Sequence, residues 1–136
     1  MTRIEVDERI AVDVIDRKNF GSSAVRVAGD ATDQNPARLV LLRRHADMAD
    51  ETPASEARTD VERGADRVAH ILSGVDSEAA SDLTLVVEKA HNALQGSGTY
   101  YSILVAIVAT SRVVAAGIGN VNLQLWTNGG AQEVLH

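Results

Sequence analysis

The densest group of possible metal ligands in the chain precedes its first long helical pattern. The stretch HADMADE, residues 45–51, holds one imidazole and three carboxylates, and two of these carboxylates belong to Asp47 and Asp50. Imidazole and carboxylate groups at this spacing could bind a divalent cation. Acidic residues in front of a helix N-terminus are also expected from the helix dipole alone. We favour this second interpretation.

Several hydroxyl and imidazole groups stand at places where they could do chemistry, but without the partners that chemistry needs. Ser22 and Ser23 follow a glycine, yet they lack the Gly-x-Ser-x-Gly frame of an exposed nucleophile. Thr99 precedes an apolar run, but a catalytic threonine of the proteasome type must itself be the free N-terminus. His70 and His91 have no second ligand at metal-binding spacing. We interpret both as surface or boundary residues.

A glycine-containing corner, GIGN at residues 117–120, joins two apolar runs. Its glycines alternate, but there is no Gly-x-Gly-x-x-Gly pattern and no helix pattern follows, so a phosphate-binding loop is unsupported. We interpret the segment as a bulge or corner at which glycine relieves crowding.

Composition limits the classes of function. A chain of 136 residues is most simply one domain, residues 1–136. Its net charge of −6 argues against binding to nucleic acid or to an anionic membrane surface. The absence of cysteine excludes disulfides, thiolate zinc sites and cysteine nucleophiles. The N-terminus has no signal-sequence pattern and no apolar run is long enough to cross a bilayer, so we expect a cytoplasmic protein.

The elements that must position these groups follow from hydropathy. Alternating apolar residues predict one or two strands within 4–14, and further strands at 22–27, 37–42, 100–109, 113–118, 121–127 and 131–135. Apolar residues at three- and four-residue steps predict two helices. The first begins at Thr52-Pro53, with a capping hydroxyl and a proline at the first helical position, and ends at Ser73-Gly74. The second runs from Ser77 to Gly96.

This order predicts an α+β fold with sandwich-like antiparallel β-sheets. Two helices pack on a sheet whose central strands are buried on both faces, and the strands after residue 98 form a meander. Aromatic residues in such strands more often fill a core than bind a ligand, and we apply this to Trp126. Tyr100 and Tyr101 are consecutive and must point to opposite faces. Whichever of them is exposed is the best candidate for a partner contact.

Five segments in order carry a family resemblance. They are RKNFG (17–21), ADMAD (46–50), GTYYSILVAIV (98–108), AAGIGNVNLQLW (115–126) and EVLH (133–136). Their order and spacing resemble the motifs of the type 2C (PPM-type) metal-dependent serine/threonine protein phosphatases. The resemblance covers most of the chain and implies a shortened phosphatase 2C-like domain.

The same resemblance shows where the chain departs from the family. The family holds two metal ions between carboxylates, and those ions activate the attacking water. Phe20-Gly21 stands where the family has a Glu-Asp pair, and Asn120 stands where it has an aspartate. Asp47 aligns with the metal-bridging aspartate, but Asp50 replaces a glycine. The chain also ends before the segment that carries a further metal-binding aspartate in the family.

One remaining ligand cannot hold two dications. We therefore expect a catalytically inactive, phosphatase-like regulatory domain in bacterial-type signalling, with no catalytic residue, no metal beyond the weak remnant Asp47 and Asp50, and no cofactor. Its partner would be a protein or a second copy, because a truncated meander leaves unpaired strand edges that favour a homodimer. The alternative is a divergent phosphatase that binds Mn²⁺ or Mg²⁺ through Asp47, Asp50 and Asp30 or Asp33.

Overall fold

The order of elements is strands, two helices and strands again. The computed structural model describes residues 2–5, 11–14, 23–46, 52–75, 80–95, 99–110, 112–127 and 130–135. The elements are β1 (Thr2–Glu5), β2 (Ala11–Val14), β3 (Ser23–Ala28), β4 (Ala37–Ala46), α1 (Ala54–Ser73), α2 (Ala80–Leu94), β5 (Thr99–Val108), β6 (Val113–Ile118), β7 (Leu123–Thr127) and β8 (Gly130–Leu135). The predicted α+β class with two helices and antiparallel sheets is confirmed.

A four-stranded antiparallel sheet with the order β3-β4-β5-β6 is the centre of the fold. The hairpins β1-β2 and β7-β8 each form a separate two-stranded sheet. Strands β4 and β5 pair along their full length, from Ala37 opposite Val108 to Ala46 opposite Thr99. These two ten-residue strands therefore form the longest ladder of the described residues and fix the register of the sheet.

The two helices cover one face of this sheet, called here the helical face. The α1 stripe Ala57, Val61, Ala65, Val68 and Leu72 is buried, as its three- and four-residue spacing predicts. Together with the buried residues of α2, this stripe packs on alternate residues of the central strands, which are Val40, Leu42, Ile103, Val105 and Ile107. Neither helix, over its described residues, has the length and apolar character needed to cross a membrane.

The opposite face of the sheet, called here the hairpin face, has its own apolar cluster. Leu39, Leu104 and Ala106 are buried there, and Leu123 and Leu135 of the β7-β8 hairpin pack against them. The central strands are therefore buried on both faces, as their continuous apolar sequence predicts.

Two local predictions, about the start of α1 and the end of β4, are corrected. Pro53 is the N-cap of α1 rather than its first helical residue, since its ψ of 147° is extended, and no side chain caps this end by hydrogen bonding. Strand β4 continues to Ala46, four residues beyond the predicted end at Leu42. Arg43 and Arg44 break the apolar pattern in the sequence, but both pair with residues of β5, and Arg44 is buried.

The predicted meander is also corrected. Strand β6 pairs with β5, but β7 pairs only with β8 among the described strands. The chain leaves the sheet at residues 119–122, and the β7-β8 hairpin packs on the hairpin face instead of extending the ladder. Gly119 has a φ of +87°, which turns the backbone out of the plane of the sheet.

The core of the helical face gives the first test. Leu42 is fully buried against α1, whereas Leu85 on α2 is largely exposed. We expect Leu42→Ala to lower the free energy of unfolding by about 2–5 kcal/mol, because it removes apolar contacts and leaves a cavity. The matched change Leu85→Ala should cost at most about 0.5 kcal/mol. Urea unfolding followed by circular dichroism measures both, and equal losses would contradict this assignment of the core.

Candidate functional site

Four strand ends meet at one end of the central sheet. The antiparallel pairing places Ser23, Ala46, Thr99 and Ile118 there, which are the start of β3, the end of β4, the start of β5 and the end of β6. These are the described strand ends closest in sequence to four of the five phosphatase-like segments. The sheet thus brings together described residues that lie next to or within segments far apart along the chain.

A serine and a histidine are in contact at this end of the sheet. The Nε2 atom of His45 on β4 lies 2.7 Å from the Oγ atom of Ser102 on β5. His45 pairs with Tyr100, and Arg43 pairs with Ser102, so the contact runs diagonally between neighbouring strands on the hairpin face. The imidazole tautomer decides which of the two groups donates the hydrogen bond.

The Gly119-Asn120 corner closes over the same hydroxyl group. The backbone N–H of Asn120 donates a hydrogen bond to Ser102 Oγ at 3.2 Å. Gly119 packs so closely that an added Cβ would overlap the Oγ, Cβ and Cα atoms of Ser102. A further bond of 3.1 Å, from the Val121 N–H to the Gly119 carbonyl, holds the turn. This segment was interpreted from the sequence as a corner where glycine relieves crowding, and the structure confirms it.

The Ser102–His45 contact has the distance of a nucleophile and its general base. Burial opposes that role, since Ser102 is only 1% exposed. The backbone of Gly119 occupies the space that a reacting acyl or phosphoryl group would need beside Oγ. In this arrangement the hydroxyl group connects β4, β5 and the corner after β6, and it is not accessible to a substrate from solvent.

Tyr100 and Tyr101 occupy opposite faces, as the sequence predicts. Tyr101 is 9% exposed and packs in the core of the helical face, whereas Tyr100 is 57% exposed. The Tyr100 ring stacks on the His45 imidazole, with centroids 4.7 Å apart and an interplanar angle of 10°. Of the two tyrosines proposed as partner contacts, only Tyr100 is therefore available at the surface.

The possible metal ligands do not come together in the described part of the chain. Among its residues, no three His, Asp or Glu side chains are close enough to hold a metal ion. Asp47 and Asp50 lie outside the described residues. Asp30 and Asp33 belong to the β3-β4 connection, at the far end of the ten-residue strand β4 from Ala46, a separation of about 30 Å. They are therefore not placed to complete a site with a ligand next to Ala46.

The Asp30 loop has a structural explanation instead. The Asn35 amide donates to the Asp30 carboxylate at 3.0 Å, and the Asp30 backbone N–H donates to the Asn35 carbonyl at 3.0 Å. Both bonds close the loop between β3 and β4. Asp30 therefore acts as a turn residue, in keeping with the preference of aspartate for such positions.

Sequence reasoning missed the contact between His45 and Ser102. His45 was assigned to an acidic group before a helix, but it lies on β4 and faces β5. A strand signal could have been found in the alternation Leu39, Leu41, Arg43, His45, because these residues share the hairpin face. Ser102 carried no signal, since a single serine in an apolar strand is common.

One prediction about aromatic residues is wrong. Trp126 was expected to fill the core, but it is 73% exposed on β7. Leu123 of the same strand packs on the hairpin face. Side chains alternate along a strand, so Trp126, three residues further on, points the other way. His70 and His91 agree with the interpretation of the sequence, since His70 is exposed and His91 is half-buried on the helices.

The corner over Ser102 can be tested with two glycines. Gly119 and Gly130 both have positive φ, of +87° and +114°, but a Cβ at Gly130 would meet no atom within 4 Å. Gly130→Ala should therefore cost only the backbone strain, about 1 kcal/mol. Gly119→Ala adds overlap with Ser102, and we expect it to cost at least about 2 kcal/mol more. If the two substitutions lower the free energy of unfolding equally, as measured by thermal or urea unfolding, Gly119 is not in close contact with Ser102.

Comparison with known proteins adds no further information about this site. No protein-family model, curated protein or solved structure matches the chain. The resemblance to type 2C phosphatases therefore depends on the five sequence segments alone.

Proposed function

We propose that this chain is a cytoplasmic, catalytically inactive phosphatase 2C-like domain that recognises a protein partner in bacterial-type signalling. The observation that carries the proposal is the closed Ser102 cluster beside the exposed Tyr100 ring. His45 and the Asn120 N–H engage the Ser102 hydroxyl group, whereas the Tyr100 side chain beside them faces solvent. Such an arrangement favours binding over chemistry.

Tyr100 has the properties of a partner contact. Tyrosine is among the residue types enriched at interaction hot spots, because it buries a large area and keeps a polar group for hydrogen bonding. Stacking on His45 limits the rotation of the Tyr100 ring, so less conformational entropy is lost when a partner binds. His45 is in turn fixed by Ser102. The buried hydrogen bond thus orients the exposed ring.

The convergence of strand ends supports the phosphatase-like part of the proposal. Ligands from several motifs can hold the same two metal ions only if those motifs lie close together, and the described strand ends nearest to four of the segments lie at one end of the sheet. Inactivity is supported by the residue types at those segments. Asn120 replaces a carboxylate, and its backbone is engaged with Ser102. An amide is a weaker ligand for hard cations than a carboxylate.

The alternative is a divergent phosphatase dependent on Mn²⁺ or Mg²⁺. It is weakened by the position of Asp30 and Asp33 at the far end of β4. Of the four aspartates named for this alternative, only Asp47 and Asp50 then remain, and two carboxylates are few for a pair of dications.

Partner binding is tested by changing the exposed ring. We expect Tyr100→Ala to weaken the complex with a partner captured from native lysate by about thirtyfold, the equivalent of about 2 kcal/mol at a hot spot. Tyr100→Phe retains the stack and should bind within a few-fold of the unchanged protein. The affinity is measured by titrating the purified partner in a calorimeter or a biosensor.

Trp126→Ala is the matched control for this experiment. It removes a second highly exposed aromatic side chain, on β7 rather than at the Ser102 end of the sheet. If Trp126→Ala weakens binding as much as Tyr100→Ala, the surface around Tyr100 is not the recognition site. All variants should unfold within about 0.5 kcal/mol of one another, because both residues are at the surface.

Inactivity is tested by titrating MnCl₂ while following the melting temperature. If the protein has a metal site, a free Mn²⁺ concentration a hundredfold above the dissociation constant would stabilise the fold by about 2.7 kcal/mol. We expect almost no shift, and the same result for Asp47→Ala. A rise in melting temperature that Asp47→Ala abolishes, together with manganese-dependent release of phosphate from a phosphopeptide, would replace the proposal with the phosphatase alternative.

A further inference from the structure

The four-stranded sheet has two outer edges. Its order, β3-β4-β5-β6, leaves β3 and β6 without a second ladder partner among the described strands. An edge strand presents backbone N–H and C=O groups that can pair with another chain. The two edges differ, and the difference identifies one of them as an interface.

The β3 edge carries a charged residue of the kind that protects edges. Arg26 lies in the middle of β3, and its Nε donates to the Asp66 carboxylate of α1 at 2.7 Å. The same guanidinium group donates to the Val25 carbonyl at 3.1 Å. A charged side chain held across an edge strand opposes pairing with a further strand.

The β6 edge carries no charged side chain, although β8 of the hairpin lies beside this strand without pairing with it. The sequence of β6, VVAAGI over Val113–Ile118, contains no charge and no proline, and every residue is apolar or glycine. Its register with β5 is regular along the whole strand. An edge strand of six residues without charge or proline leaves its outward backbone groups chemically able to pair with another strand.

The backbone groups that face outward from β6 can be identified. The Ala109 N–H donates to the Arg112 carbonyl at 2.9 Å, so these residues form the hydrogen-bonded pair that closes the β5-β6 hairpin. Antiparallel pairs alternate between hydrogen-bonded and non-hydrogen-bonded along a ladder. Val113, Ala115 and Gly117 are consequently non-hydrogen-bonded to β5 and direct their N–H and C=O groups to the outer edge.

The outward N–H and C=O groups of these three residues can pair with the same groups of a second copy of β6. A two-fold axis normal to the sheet at Ala115 sets Ala115 opposite Ala115 of the second copy and Val113 opposite Gly117 of the second copy. Each opposed pair exchanges two backbone hydrogen bonds, about six in all. Ala115 has a small side chain and Gly117 has none, which favours close approach of the two backbones, and Leu135 and Val121 pack against Gly117 on the hairpin face.

Such an axis also keeps the two faces of the sheet continuous. Residues that meet across the seam lie on the same face, so the helices of both copies cover one side and the hairpins cover the other. We infer that this chain forms a homodimer through antiparallel pairing of β6 with β6 of a second copy, which produces one eight-stranded sheet. This interface is separate from the Tyr100 surface and goes beyond the proposed function.

Disulfide trapping tests the register directly, because the chain contains no cysteine of its own. In the dimer, the two Ala115 Cα atoms form a hydrogen-bonded pair at about 5.5 Å, a separation that a disulfide can span. We expect Ala115→Cys to form a covalent dimer rapidly with oxidised glutathione as the electron acceptor. Ala28→Cys, at an exposed position at the end of the β3 edge, should cross-link only at the slower rate of random collisions.

Proline substitution tests the interface without a cross-link. The Ala115 N–H faces the outer edge, so Ala115→Pro removes a bond across the seam and none within one copy. Light scattering over a concentration series should show a dimer for the unchanged chain and a monomer for Ala115→Pro, with the same circular dichroism spectrum. If Ala115→Pro does not fold, the ratio of the two cysteine cross-linking rates decides the question.

Two results would overturn the inference. One is a monomer for the unchanged chain at every concentration, and the other is equal cross-linking of Ala115→Cys and Ala28→Cys. Tyr100→Ala should remain a dimer, because Tyr100 lies at the start of β5 and outside the seam. If the chain does not dimerise but still binds its partner through Tyr100, only this inference fails. If it dimerises but Tyr100→Ala does not affect partner binding, only the proposed function fails.

Discussion

Strand β5 has to be buried on both faces, and most of the architecture follows from that requirement. Its residues from Ile103 to Ile107 are almost completely excluded from solvent, on alternating faces of the sheet. A continuous apolar strand is stable only if both faces are covered. Helices α1 and α2 cover one face, and the β7-β8 hairpin contributes to the cover of the other. The turn at Gly119 is what allows the hairpin to leave the ladder and reach that second face.

The same burial explains the polar cluster at the end of β5. Ser102 continues the buried strand, and a buried hydroxyl group is costly unless it forms hydrogen bonds. His45 and the Asn120 N–H satisfy it. A serine–histidine contact at a short distance therefore has a structural cause, and chemistry is not needed to account for it. Tyr100, two residues earlier on the same face, extends beyond the covered region and is exposed.

The sequence predicted the helices and the central strands because burial imposes a period on both. The spacing of the α1 stripe indicates that one face of the helix is buried, and the continuous apolar run of β5 indicates that both faces of the strand are buried. The last part of β4 could not be predicted in this way, since Arg43, Arg44 and His45 are polar residues held in a ladder by tertiary pairing. Trp126 shows the opposite error. Its apolar character gives no information on which face of a two-stranded hairpin meets the sheet.

In the candidate site, too, features set by local sequence can be predicted, whereas contacts between distant residues cannot. The corner at Gly119 could be recognised locally, because glycine tolerates positive φ. The pairing of His45 with Tyr100 joins residues 55 positions apart in the chain, and only the register of β4 with β5 brings them together. That register depends on the apolar core of the sheet, so the exposed ring of Tyr100 is oriented by contacts that no motif records. The orientation of this exposed ring therefore depends on the register of the central sheet and on the His45–Ser102 contact, and not on any local motif of the sequence.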